Sequence, residues 1–580
     1  MRRIALAWCF AAAFAAAVPA LAQEAPKPAP EIASPAAPKS AVRSKRWMAA
    51  AANPLAAEAA AEMLRAGGSA VDAAAAAQFV LGLVEPQSSG LGGGAFLVHF
   101  NAASGELTTL DGRETAPAAA TPTLFQDDRG EPLAFMDAVV GGRSVGVPGT
   151  PRLLEAAHRR YGKLAWGRLF GPALKLAEEG FEVSPRLAAQ IAEDAPRLGR
   201  DAAARAYFLP GGTPLAAGSR ITNRAYARTL AALRDGGADA FYAGPMAAEI
   251  VAAVRNAENP GVLSVDDLAR YAIVERPPAC APYRAVEICG MGPPSSGGIA
   301  VAQILGMLAN SDLAALGPKS PEAWRLIGDA QRLAFADRER YVADPAFVPQ
   351  PTAGLVARDY LDRRARLLTG GRALEKAEAG EPKFSHAGRF APDTAIELPG
   401  TSHLVVVDAA GDVVSMTTTI EAGFGSRLMV RGFLLNNELT DFSFRSHKDG
   451  APVTNRVEPG KRPRSSMAPT IVMKDGRPVF AVGSPGGSQI IGYVAKTLIA
   501  HLDWGMDPAA AAALPNMLNR RGPFELEKGT EAETLAEPLK ALGFEIKLDD
   551  MTSGVQAIAI GPDGLTGGAD PRREGVAIGE

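Results

Sequence analysis

Residues 404–407 are four apolar positions in a row, entered from the polar step Thr401-Ser402-His403. Asp408, Gly411 and Asp412 then supply turn chemistry, and residues 413–419 return as a second run. That pattern predicts a hairpin of two strands. Upstream, residues 55–66 carry a helical pattern after the cap Asn53-Pro54, and a second helix opens at Ser69 and runs through Ala-rich chain to about Val84. Its small side chains allow close packing, so it is expected to be buried. Residues 150–310 read as mostly helical, with strand at 277–291. Residues 321–341 predict a long helix whose charges form a solvated face. Residues 467–473 and 477–482 predict a second hairpin around Asp475-Gly476, followed by a helix at 489–502. Short strands near 544–548, 555–560 and 576–578 close the chain.

One position in this pattern asks for a chemical reason. Thr401 follows Gly400 at the mouth of a strand expected to be buried. If the chain is cut between them, Thr401 carries a nucleophile and a base in one residue, its hydroxyl and its freed α-amine.

Composition narrows the alternatives. The chain has 580 residues and a formal net charge of -3, with no basic run, so nucleic acid is not expected as a partner. Residues 1–22 have the form of a cleavable signal peptide: Arg2-Arg3, an apolar stretch, then Ala20-Leu21-Ala22. Residues 23–46, rich in Pro and Ala, read as a linker. No later run is long enough to span a bilayer, so the expectation is a periplasmic or secreted protein that leaves the membrane once the signal is removed. Of three cysteines, Cys280 and Cys289 lie beyond the signal, and they could bridge if the chain between them folds back.

The six histidines, His99, His158, His386, His403, His447 and His501, have no metal-ligand spacing, and no cofactor or metal is expected. There is no G-x-S-x-G elbow, which disfavours a Ser-His-Asp hydrolase. Gly90, Gly92 and Ala95 have the spacing of a dinucleotide fingerprint, but a helix precedes them and a strand follows. A loop permitting close backbone approach fits better. The last third offers polar strand ends instead. Gly486-Gly487 stands before a helix and can offer N–H groups to an oxyanion. Ser465, Ser466 and Arg113 can hold a carboxylate, and Glu421, Glu438 and Asp441 an ammonium group. Together they describe a pocket for a zwitterionic head beside an acyl-transfer nucleophile.

These stretches carry a resemblance. Thr401-Ser402-His403, Thr417-Thr418-Thr419-Ile420-Glu421, residues 435–442, Lys461-Arg462-Pro463-Arg464-Ser465-Ser466-Met467 and Gly483-Ser484-Pro485-Gly486-Gly487 resemble the γ-glutamyltranspeptidase family, as do residues 67–73, 90–94, 111–114, 144–150 and 293–298. The resemblance runs from about Met48 to the end. It implies an α+β fold, the four-layer αββα sandwich of N-terminal nucleophile hydrolases. It implies self-cleavage between Gly400 and Thr401, giving a large subunit of residues 47–400 and a small one of 401–580, which pair as a heterodimer sharing one sandwich. By the same resemblance Thr401 is the nucleophile, Thr419 positions its hydroxyl, and the Gly486-Gly487 amides take the oxyanion. Arg113, Ser465 and Ser466 take the substrate α-carboxylate, and Glu421, Glu438 and Asp441 its α-amino group. The implied substrates are glutathione and other γ-glutamyl compounds, with water, amino acids or peptides as acceptors.

Some family members carry Asn at the Glu421 position and Gln at Glu438, and some place a Tyr in a lid between Asp441 and Ser465. Here residues 442–464 hold no Tyr, and Phe442 and Phe444 are their aromatic residues, so a short lid and an open cleft are expected. Two other readings stay open. One is an acylase of the same fold acting on a glutaryl side chain of a β-lactam nucleus; the other is an uncut binding homologue.

Overall fold

The structure is a computed structural model that describes residues 33–34, 38–385, 390–393, 395 and 397–580. The signal segment, most of the predicted linker and His386 lie outside the described residues.

Two seven-stranded sheets organise the chain. Their strands, in chain order, are β1 Val42–Ser44, β2 Met48–Ala51, β3 Gly94–Asn101, β4 Glu106–Gly112, β5 Val274–Arg276, β6 Ala279–Tyr283 and β7 Val286–Gly290. They continue with β8 Thr401–Val407, β9 Val413–Thr419, β10 Thr470–Lys474, β11 Arg477–Gly483, β12 Gln556–Gly561, β13 Gly564–Ala569 and β14 Val576–Gly579. One sheet has the order β14-β2-β8-β9-β3-β4-β5 and the other β1-β13-β12-β11-β10-β7-β6. Every pairing within them is antiparallel.

The predicted hairpin is β8–β9, at the centre of its sheet, with Thr401 opposite Thr419. Its apolar run is continuous because both faces are covered. Val405, Val407 and Val413 meet Ile471, Ala481 and Ile558 of the other sheet, filling the space between the two. Leu404, Val406, Val414 and Met416 point the other way, into a helical layer that contains α1 Pro54–Arg65 and α2 Ala70–Val84. On the outer face of the second sheet, Val472, Phe480 and Val482 pack with α3 Gly297–Leu308, α4 Pro321–Tyr341 and α5 Ile490–Leu502. The layers are therefore αββα, as expected.

Local chemistry sets the element ends. The Asn53 side chain accepts from the Leu55 N–H at 2.9 Å, and Ser69 with Asp72 forms a capping box at the start of α2. All fifteen residues of α2 are buried, which its small side chains permit. The glycine loop before β3 makes the close approach expected of it. A Cβ on Gly93 would collide with the Thr419 carbonyl oxygen at the end of β9.

Three expectations change, and one left open is met. Val42–Ser44, inside the stretch read as linker, pairs with β13 at the sheet edge. The single strand expected over 277–291 is two, β6 and β7, turned by Arg284 at φ 53°. Folding back places Cys280 opposite Cys289, and the two are disulfide-bonded. Finally, the charges of α4 are not a solvated face: Arg325, Asp329, Asp337 and Arg338 are all buried. They pair within the protein, as Arg325 does with Glu322 and Arg364 with Asp337.

His403 on β8 is fully enclosed, its Nδ1 2.9 Å from Thr417 Oγ1, and burial drives its pKa down to about 3. The native state therefore holds it neutral while the unfolded chain protonates it near pH 6.5. Stability from this group is complete above that pH and is lost as pH falls toward 3, at about 1.4 kcal/mol per pH unit. His403→Gln is expected to flatten the fall of melting temperature between pH 6.5 and 4. Parallel pH profiles for the two proteins would contradict this.

Candidate active site

Thr401 opens β8 with its side chain buried, and the hydroxyls of two strands converge there. Thr419 Oγ1 donates to the Gly400 carbonyl oxygen at 2.7 Å. Thr419 Oγ1 itself accepts from the Glu421 N–H at 2.8 Å and from the Thr401 hydroxyl at 3.4 Å. Arg573 Nη1 donates to the Thr401 carbonyl at 3.3 Å. The residue before Thr401 has to be glycine on steric grounds, because a Cβ on Gly400 would run into the Glu421 carbonyl. Thr401, Thr419 and the Gly400 carbonyl thus share one hydrogen-bonded cluster.

A wall of buried charge adjoins it. Arg113 follows the end of β4 and is 1% exposed. Its Nε donates to the Pro463 carbonyl at 3.2 Å and its Nη2 to the Arg464 carbonyl at 2.8 Å. It pairs with Asp441 at 2.5 Å and with Glu438. Glu438 and Asp441 sit at the two ends of one short 3-10 turn, which aims both carboxylates at Arg113. Glu421 follows β9 in the left-handed region, φ 77°; its Oε1 accepts from the Leu398 N–H at 3.0 Å and its Oε2 from Asn437 Nδ2. Burial pushes Glu421, Glu438 and Asp441 well above the usual carboxylate range. Arg113 pulls each back, but their acidic neighbours push further, Asp441 acting on Glu421 and Glu438 on Asp441. Glu438 Oε2 and Asp441 Oδ1 have no hydrogen-bond partner among the described residues.

The walls close on a small space. Arg113, Thr401, Thr419, Glu421, Glu438 and Asp441 line a cavity of about 20 Å³, together with Ser465, Ser466 and Gly487. Gly486 stands one residue behind, at the entry to the 3-10 turn that leads into α5. That volume holds about one water molecule. The rest of the space is taken by the chain leading to Gly400: Glu397 and Leu398 line the same cavity, and the ideal Cβ position of Gly487 is 2.7 Å from the Leu398 carbonyl. None of residues 442–464 lines it. Phe442 is buried, and Phe444 stacks on Phe125 with ring centres 4.6 Å apart, so both aromatic side chains of that segment are spent on packing.

Sequence reasoning missed the second ring of charge. Arg338 Nη2 donates to Ser466 Oγ at 2.9 Å and pairs with Glu397. Arg464 pairs with Asp393 at 2.8 Å. The signal was present in α4, where Arg338 stands on the apolar side of the helix, away from the stripe that Glu322, Arg325, Asp329 and Arg332 form at helical spacing. Among the described residues, the one cluster with metal-ligand proximity is Cys280, Glu287 and Cys289, and its sulfurs are already joined to each other. No helix among the described residues is long and apolar enough to cross a membrane.

Comparison with known proteins places this geometry. The family model described as Gamma-glutamyltranspeptidase matches residues 56–580. The chain is 39% identical over 548 residues to the glutathione hydrolase proenzyme of Bacillus subtilis (strain 168), covering 92% of each chain. It is 36% identical over 563 residues to the acylase ACY 1 proenzyme of Pseudomonas sp. (strain V22), covering 96% of this chain and 97% of that one. In structure it is similar to the cephalosporin acylase from Bacillus halodurans, with a TM-score of 0.82 at 26% identity over 96% of this chain and 98% of that chain. At these lengths and identities, the chain belongs to the gamma-glutamyltranspeptidase family and is an enzyme with the N-terminal nucleophile hydrolase fold.

Proposed function

We propose that the protein is an exported proenzyme that cuts itself between Gly400 and Thr401 and then transfers γ-glutamyl groups through Thr401. The observation that carries this is the hydroxyl of Thr419, which binds the Gly400 carbonyl while standing against the Thr401 hydroxyl.

In the first reaction Thr401 Oγ1 attacks the Gly400 carbonyl carbon. The Thr419 hydroxyl polarises that carbonyl and holds its developing negative charge. The C–N bond breaks, the proton from the hydroxyl ends on the Thr401 nitrogen, and an ester joins Gly400 to the Thr401 side chain. Water hydrolyses the ester, freeing the carboxylate of Gly400 and both functional groups of Thr401. Residues 47–400 and 401–580 remain paired through the shared sheets, since β2 and β8 lie side by side across the cut.

In the second reaction the free α-amine takes the hydroxyl proton as Thr401 attacks the donor's γ-carbonyl. The Gly486 and Gly487 amides receive the oxyanion, and the donor's amine leaves with a proton. Water or a second amine then resolves the acyl-enzyme. Arg113, Ser465 and Ser466 hold the donor's α-carboxylate. Glu421, Glu438 and Asp441 face its α-ammonium, which supplies hydrogen-bond donors to the unpartnered Glu438 and Asp441 oxygens.

The acylase relatives favour the second reading, an acylase, with the glutaryl donor expected of it from sequence. Glutaryl has no ammonium, so the free Glu438 and Asp441 oxygens would not gain the hydrogen-bond donors that a γ-glutamyl head supplies. Two measurements check these points. Thr419→Val removes the polarising hydroxyl and is expected to slow self-cleavage by about 10²–10³-fold, followed as loss of the intact chain with time; an unchanged rate would remove Thr419 from the mechanism. With γ-glutamyl and glutaryl anilides compared on the mature enzyme, the γ-glutamyl compound is expected to react faster by at least about 100-fold. A faster glutaryl compound would make the acylase reading the correct one.

A further inference from the structure

Arg338 has no part in the roles assigned above, yet it reaches into the same site. Its Nε donates to Ser296 Oγ at 2.8 Å and its Nη2 to Ser466 Oγ at 2.9 Å. The guanidinium is buried, and the carboxylate paired with it is that of Glu397. Glu397 lies four residues before Thr401 and lines the same cavity as Thr401 and Ser466. Burial works against its ionisation, but Arg338 and Arg464 beside it hold its pKa below the ordinary carboxylate range. Glu397 is therefore a carboxylate seated on a guanidinium and a serine, inside the cavity where catalysis is proposed.

Arg113, the cation expected from sequence to hold the donor's carboxylate, is differently placed. Its Nε and Nη2 serve two backbone carbonyls, and its charge is already met by Glu438 and Asp441. Among the described residues, Arg338 is matched at ion-pair distance by Glu397 alone. When the segment before Gly400 gives up its place, Arg338 is left as a buried cation without its partner, which is costly unless another anion arrives. Glu397 and a donor carboxylate would compete for one position, so a chain still holding Glu397 there is closed to donor.

The geometry points to Arg338 as a further specificity-determining residue: with Ser466 it forms a carboxylate subsite that Glu397 fills in the uncut chain and that the α-carboxylate of a γ-glutamyl donor fills once Glu397 has withdrawn. This rests on the γ-glutamyl reading above. Arg338 joins Arg113 in holding the carboxylate, and its reach to Ser466 leaves that hydroxyl's own proton free to be donated to the substrate.

The test compares a γ-glutamyl anilide with its α-carboxamide analogue, which keeps the ammonium and loses the negative charge. KM and kcat are measured for both on the matured wild type, Arg338→Gln and Arg338→Lys. Arg338→Gln is expected to raise KM for the carboxylate donor about tenfold or more while moving the carboxamide donor little. Arg338→Lys, which keeps the charge but not the planar fork, is expected to fall between them. If Arg338→Gln does not fold or mature, the lysine variant decides. The same carboxylate-to-carboxamide KM ratio in the variants as in wild type would overturn the inference and leave Arg338 a structural residue. If the wild type releases aniline from neither donor, it is the γ-glutamyl reading that fails.

Discussion

A single threonine hydroxyl holds the geometry of the proposed active site together. Thr419 Oγ1 accepts from the Glu421 amide, gives its proton to the Gly400 carbonyl and stands against the Thr401 hydroxyl. It can do so because Thr419 and Thr401 are direct partners across β8 and β9, and both strands are buried on two faces. Packing fixes the register, and the register fixes the distance between the proposed nucleophile, Thr401, and the bond it is proposed to cut. The glycine loop before β3 and the glycine before Thr401 are then steric necessities, because the backbones of β9 and Glu421 lie too close for side chains there.

Around this centre the protein concentrates charge that would be unstable elsewhere. Glu438 and Asp441 sit against Arg113, and Arg338 and Arg464 sit against Glu397 and Asp393. Burial raises the cost of every charge without an opposite partner. The uncut chain meets part of that cost with its own residues, Glu397 for the cations and the Leu398 amide for Glu421. A zwitterionic substrate carries the same two functions, an anion and a hydrogen-bond donor, in one small molecule. The segment before Gly400 and the proposed donor are chemically alike in the groups they present, so one pocket can serve both proposed reactions.

Much of this was legible in the sequence because it is written in local terms. The caps at Asn53 and Ser69, the β8–β9 hairpin and the Gly400-Thr401 step all follow from residue type and spacing. The family motifs named eleven site residues; nine line the cavity, Gly400 joins the Thr401 hydroxyl cluster, and Gly486 stands one residue behind. What sequence did not give depends on contacts between distant segments. The burial of Arg338 comes from packing α4 under the outer face of a sheet whose strands are assembled from both ends of the chain. Strand β13, rich in glycine, has too weak a pattern to be recognised alone and exists by pairing with β12. The turn at Arg284 lacks the glycine or proline that marks most turns, which hid the return of the strand and left the cysteine pairing open.

The central claim is that the chain becomes an enzyme by cutting itself before Thr401. It is tested most directly by intact mass and N-terminal sequencing of the purified protein beside a Thr401→Ala control. The account requires two fragments, the smaller beginning with Thr401, and a single uncut chain in the control. One uncut chain in both would contradict it, since Thr401 would then have no free amine to act as base.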